Sequence, residues 1–233
     1  MPVRVEAESH DLTLGAALTH SWTHTVGTDG SHLLVCFTVN GATEAISGVT
    51  FNGIALTQLV KILENQSITQ KQWVYIYGLL APAVGAHLVE ITLSASRLCV
   101  GGALSFTGAE AGVPFGPVAS NRYVVGGSYQ ALLTVPCIAV EDLVVAASGG
   151  QSGSDPAPGP HEVRMWNLAD GFTRSTGFFS PASPPSTLVT ATAGVWAWAI
   201  AGVVVKGTRP ASASRQHGGV ITDSAGAVQG RIQ

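Results

Sequence analysis

The chain has 233 residues, 46% hydrophobic and only 11% charged, with 11 Lys and Arg against 14 Asp and Glu and a formal net charge of -3. A soluble domain usually carries about 25% charged residues, and the lysines here (Lys61, Lys71, Lys206) are scattered, whereas phosphate binding needs clustered basic side chains, so nucleic acid is excluded as the main partner. A surface this poor in charge is weakly protected against association and fits one covered by neighbouring subunits.

The N-terminal stretch MPVRVEAESHD carries Arg4, Glu6, Glu8 and Asp11 and has no apolar core segment, so no signal peptide is expected. The longest apolar run, AGVWAWAIAGVVV, is too short for a membrane span, for which about 18 residues are needed, and reads as a buried central strand. No membrane insertion is expected. Cys36, Cys99 and Cys137 each sit in an apolar run (LLVCFTV, RLCVGGAL, TVPCIAV), with no CxxC or Cys/His pattern, and read as buried free thiols made in a reducing compartment.

In chain order, runs rich in Val, Ile, Thr, Trp and Tyr and bounded by Gly, Pro, Asn, Asp and Ser predict strands over 20–26, 32–39, 48–51, 55–63, 72–79, 87–94, 98–106, 130–135, 142–147, 162–167, 171–178, 187–192 and 195–205. Asn52-Gly53 between apolar flanks predicts a two-residue type I′ turn, in which both central residues take positive φ. Over 72–79, Trp73, Tyr75 and Tyr77 fall on one face and Val74 and Ile76 on the other. The last strand has a bulky side with Trp196, Trp198 and Ile200 and a small side with Ala197, Ala199 and Ala201, the pattern of a strand covered on both faces. No segment holds a helical period. The expected fold is all-β, a two-sheet antiparallel β-sandwich of jelly-roll type over residues 1–206. A small-residue, polar C-terminal arm over 207–233 cannot build a core of its own, and ordering it takes contacts with another chain.

The catalytic signatures are missing. GGQSGS departs from the G-x-S-x-G elbow, and there is no Walker loop, HExxH or GxGxxG. No enzyme and no cofactor are expected. In HSWTH, His20, Trp22 and His24 share one strand face, but the imidazoles lie roughly 13 Å apart along a strand, too far for one metal, and an exposed polar rim is the expectation. Glu6 and Glu8 read as surface acids. Trp22, Trp73, Tyr75, Tyr77 and Trp166 offer flat faces to a sugar ring, although aromatics at alternate strand positions more often belong to a core. Trp166, near the 148–162 loop, is the one expected to be partly exposed, and Asp155 in that loop is a candidate ligand contact of the kind a calcium site would use.

The motifs HTVGTDGSHLLVCFTVNG, ISGVTFNGIALTQL, WVYIYGLLAPAVGAHLVEITLS and GGALSFTGA, spanning about Thr19 to Gly108, resemble a β-sandwich domain of phage virion structural proteins and some bacterial surface proteins. In that pattern an x-V-x-x-N-G hairpin precedes a Y-x-L-x-x-P-x-x-G-x-x-x-V segment, here Tyr77, Leu79, Pro82, Gly85 and Val89. The resemblance implies a non-enzymatic structural protein of a virion, made in the host cytoplasm and displayed on the head or tail. Its partners would be other virion proteins and copies of itself, with Val220, Ile221, Val228 and Ile232 of the tail as anchors. The alternative is a carbohydrate- or host-receptor-binding module.

Overall fold

The computed structural model describes residues 1–11, 15–64, 71–122, 130–151, 157–171, 173–192 and 198–209, and among these every regular element is a strand. The strands are β1 (Arg4–His10), β2 (Ala17–Val26), β3 (His32–Asn40), β4 (Ile46–Phe51), β5 (Ile54–Ala55), β6 (Thr57–Glu64), β7 (Gln72–Leu80), β8 (Gly85–Arg97), β9 (Cys99–Thr107), β10 (Phe115–Arg122), β11 (Gln130–Pro136), β12 (Leu143–Gln151), β13 (Ala157–Pro158), β14 (Val163–Asp170), β15 (Thr173–Pro181), β16 (Ser186–Thr192) and β17 (Trp198–Val205). The fold is all-β and sandwich-like, with its antiparallel sheets packed face to face. Where the sequence predicts two sheets, the described residues form four.

The sheets follow the chain in two halves. The first half forms an inner sheet, β1-β9-β3-β7-β6, and an outer sheet, β2-β8-β4-β5. The second forms an inner sheet, β10-β17-β12-β15-β14, and an outer sheet, β11-β16-β13. Three apolar layers separate the four sheets. Phe37, Tyr75 and Ala103 meet Trp22, Phe51, Val89 and Ile91 between the first outer and first inner sheets. Leu34, Cys36, Ile76 and Leu104 meet Val145, Ala147, Trp166 and Ala201 between the two inner sheets. Val144, Phe178 and Ile200 meet Leu133, Val135 and Val189 on the far side. Both inner sheets are therefore covered on both faces, which is why β3, β9, β12 and β17 are almost wholly apolar or small. The alternation expected in β7 and β17 is observed: Tyr75 and Tyr77 face the first outer sheet while Val74 and Ile76 face the second half, and Trp198 and Ile200 face outward while Ala199 and Ala201 face the first half. Trp196 and Ala197 lie outside the described residues.

Asn52 and Gly53 turn the β4–β5 hairpin with φ of 50° and 75°, and Phe51 pairs with Ile54 across it, as the Asn-Gly pair predicts. Between the first two sheets the aromatic residues stack in a row. Trp73 lies on Tyr75 with centroids 6.0 Å apart, and Phe37 lies 5.2 Å from Tyr75 and 5.7 Å from Tyr77. The Tyr75 hydroxyl is buried in this row with no hydrogen-bond partner, and burial pushes its pKa well above the usual phenol range.

Two edge strands, β1 (RVEAESH) and β10 (FGPVASNR), are absent from the predicted elements. Charges in the first and Gly-Pro in the second disguise them, and both features suit an edge, where one side of the ladder is unpaired. Past β17 the first residues of the expected arm touch the sandwich. Gly207 bridges Ala109 and donates to the buried Asp142 carboxylate at 3.0 Å, and the Thr208 amide donates to the Gly108 carbonyl at 2.9 Å. The described chain is thus held in the fold as far as Arg209, whose guanidinium lies 3.5 Å from Asp142.

Trp166 is the largest side chain between the two inner sheets. Its indole covers two glycines, one from each sheet: a Cβ on Gly177 would lie 2.6 Å from the ring, and one on Gly102 would lie 2.7 Å from it. The ring nitrogen donates to Ser175 Oγ at 3.2 Å. Trp166→Ala removes this plug above two residues that have no side chain to fill the hole, and it should cost about 3–5 kcal/mol, read as a fall in the urea midpoint. Tyr75→Phe should do the opposite: removing an unpartnered buried hydroxyl while keeping the ring stack raises stability by about 1 kcal/mol in the same assay.

Candidate interaction sites

The HSWTH segment lies on β2, at the edge of the first outer sheet, and its alternate side chains point inward. His20 and His24 are fully buried and Trp22 is 8% exposed, so the expected polar rim is instead an internal polar joint. Ser9, on edge strand β1 of the neighbouring inner sheet, is its centre. The Trp22 indole donates to Ser9 Oγ at 3.0 Å, and the same oxygen lies 2.8 Å from His24 Nδ1. His20 lies beside it, with Nε2 3.0 Å from the Arg97 carbonyl oxygen and Nδ1 3.5 Å from the Asp11 carboxylate.

Serine, histidine and aspartate thus meet here, but not in series. Nucleophilic activation needs one imidazole between the hydroxyl and the carboxylate. Here Asp11 pairs with His20 while Ser9 pairs with His24. The arrangement ties β1 to β2, and so the edge of the inner sheet to the edge of the outer one. Burial lowers the His24 pKa to about 4, which keeps the ring neutral at pH 7. Burial also acts to lower that of His20, but its hydrogen bonds to Asp11 and the Arg97 carbonyl outweigh this and hold it above its ordinary value.

Trp22 and Trp166, two of the candidate sugar platforms, both belong to the interior. Trp22 sits in the first core layer, and Trp166, at 3% exposure, sits between the inner sheets, so neither presents a free ring face. Asp155 and the tail residues Val220, Ile221, Val228 and Ile232 lie outside the described residues. Glu6 accepts a hydrogen bond from the Gly27 amide at 3.2 Å, bracing the turn after β2. Cys36, Cys99 and Cys137 are buried and free, and burial pushes the thiol pKa values of Cys36 and Cys99 up.

A surface feature stands apart from these joints. One end of the first half is poor in charge: residues 48–60, 72–89 and 111–119 include no Asp, Glu, Lys or Arg, while the adjoining β2–β3 turn carries Asp29 and holds the Glu6 carboxylate. It exposes Ile54 (58%), Leu80 (47%), Val84 (52%), Leu88 (47%) and Val113 (62%). Leu80 and Val113 also line a groove of about 350 Å³, together with Thr57, Leu59, Gly78 and Phe115. Its wall is the segment joining the two halves, and the Phe115 ring occupies the space a side chain at Gly78 would need. Sequence reading overlooks this end because its residues are read one strand at a time, whereas the fold assembles them from a hairpin, a strand end and a linker. No family model matches the chain, and neither a curated protein nor a solved structure matches it.

The buried His24 makes stability depend on pH. In the unfolded chain an imidazole takes up its proton near pH 6.5, whereas folded His24 resists it until about pH 4. Between those values the unfolded state binds more protons, so stability falls as the pH is lowered. The His24 contribution should reach at most about 3 kcal/mol. His32, lowered by burial, adds a slope of the same sign, and the raised His20 opposes it, since its stabilisation is present below pH 6.5 and is lost as pH rises through its folded pKa. His24→Asn should flatten the urea midpoint between pH 6.5 and 4. Equal slopes in the two proteins would show that His24 does not carry the effect.

Proposed function

We propose that this chain is a non-enzymatic structural protein of a phage virion, displayed on the head or tail and held to neighbouring subunits. The observation that carries this reading is the charge-poor end of the first half, with five half-exposed aliphatic side chains and an apolar groove that two of them line. Exposed aliphatic side chains beside an apolar groove are the kind of surface a protein–protein contact uses. The resemblance of residues 19–108 to virion β-sandwich domains supports the same conclusion, as does a core invested in sheet stacking. On this reading the partners are other virion proteins and copies of the same chain. The protein is made in the host cytoplasm, and Val220, Ile221, Val228 and Ile232 serve as anchors, each an aliphatic side chain of a size that enters a groove of this sort.

Deleting residues 210–233 tests the proposal. The deletion leaves Gly207, Thr208 and Arg209 and their contacts in place, so the melting temperature should stay within a degree or two of the parent. Incorporation into particles, followed by co-sedimentation from cells producing the remaining virion proteins, should be lost. A truncated chain that sediments with particles at full occupancy would overturn the anchoring role.

A further inference from the structure

The two halves have the same topology. In the first, the inner sheet runs β1-β9-β3-β7-β6; replacing each strand by its counterpart in chain order gives β10-β17-β12-β15-β14, the inner sheet of the second. The outer sheets correspond in the same way, β2-β8-β4 to β11-β16-β13. The registers agree as well. Trp22 lies opposite Val89 where Leu133 lies opposite Val189, and Leu33 pairs with Ser105 and Leu79 where Val144 pairs with Val204 and Ser180. Irregularities, which are far less predictable than strands, coincide too. The first strand is bulged between Val5 and Ala7 in one half and between Phe115 and Val118 in the other. The outermost strand of the inner sheet is bulged between Gln58 and Val60 and between Arg164 and Trp166. Bulges at matching places in both halves are features of one design used twice.

The halves also meet through the same surface. Each inner sheet presents the face turned away from its own outer sheet, and equivalent residues line both sides: Leu34 and Val145, Cys36 and Ala147, Leu104 and Val203, Phe106 and Val205, Val60 and Trp166. The contacts are reciprocal. Strand β6 lies against β17 as β14 lies against β9, and β7 lies against β12 as β15 lies against β3. At the centre, equivalent positions face one another, since a Cβ on Gly149 would lie 2.5 Å from Oγ1 of its counterpart Thr38. A patch that meets its own equivalent across a point is the geometry of a twofold axis.

We infer that the chain is a covalent pair of one sandwich module related by a pseudo-twofold axis, and that the module's inner face is a homotypic docking surface whose fitting partner is a second module of the same kind. This does not rest on the proposed virion role. The axis relates the Trp166 plug to a second site, where Val60 stands in place of the tryptophan and Ile76 and Ala201 stand in place of Gly177 and Gly102. The test is to build the plug at that second site in the full chain. Val60→Trp alone should lower the urea midpoint, because Ile76 and Ala201 fill the space. In the Ile76→Gly, Ala201→Gly background the same substitution should raise it. A midpoint lowered in both backgrounds would overturn the inference. Should the double-glycine background not fold, a protease site replacing residues 111–113 gives an independent reading. After cutting the folded chain, the two halves should elute together at the volume of the uncut protein, held by the shared face. Elution as two separate species would refute a docking surface.

Discussion

Burial of both faces of two adjacent sheets is the constraint from which the rest of the structure follows. Each inner sheet has to satisfy an outer sheet on one side and the other half of the chain on the other. Its central strands are therefore mostly apolar, and most of their buried polar side chains, such as Thr38, Ser105, Ser175 and Thr176, are small, with His32 and Gln72 as larger exceptions. Apart from Arg174 near the start of β15, charge on the described inner sheets is kept to edge strands and turns, which accounts for the low charged fraction of the whole chain. With 11% charged residues and four layers to fill, the molecule is composed more like an interior than a surface. The middle layer is thinnest where it has to be: glycine at 102, 149 and 177 lets the sheets approach, and Trp166 fills what the glycines leave.

Within that frame the buried polar groups act as fasteners. Asp142 gathers the turn before β12, the end of β17 and the Arg209 guanidinium around one carboxylate. Glu162 accepts from the Thr190 amide at 2.8 Å and the His161 amide at 3.3 Å, joining the two sheets of the second half. Ser9, Trp22 and His24 perform the corresponding task in the first half with different chemistry. Since each carboxylate or ring is desolvated and hydrogen-bonded at once, these joints fix position more than they add net stability.

Much of this was written locally. The Asn52-Gly53 hairpin, the two faces of β7 and the two faces of β17 follow from residue order alone, because each depends on neighbours in the chain. What depended on partners did not. His20 and His24 read as a rim because polar residues usually face water, yet Ser9 and Asp11, from a strand too charged to be recognised, give them internal partners. Trp22 and Trp166 stayed candidates for a sugar platform beside a core reading because nothing in their flanking sequence reveals Ser9 as partner or Gly102 and Gly177 as floor. The doubling of the fold did leave a trace. LVEIT at 88–92 is echoed at equivalent positions by LVTAT at 188–192. The echo is faint because each half has adapted its inner face to the other, replacing Val60 by Trp166 and Ile76 by Gly177.

That lopsided fit also decides which halves can mate. Two second halves brought together would drive each Trp166 onto Ala201, where it now rests on bare Gly102. Two first halves would set Val60 over that same glycine and leave a void. Only the unlike pairing closes without collision or gap, so like halves of neighbouring chains are turned away while complementary ones are accepted.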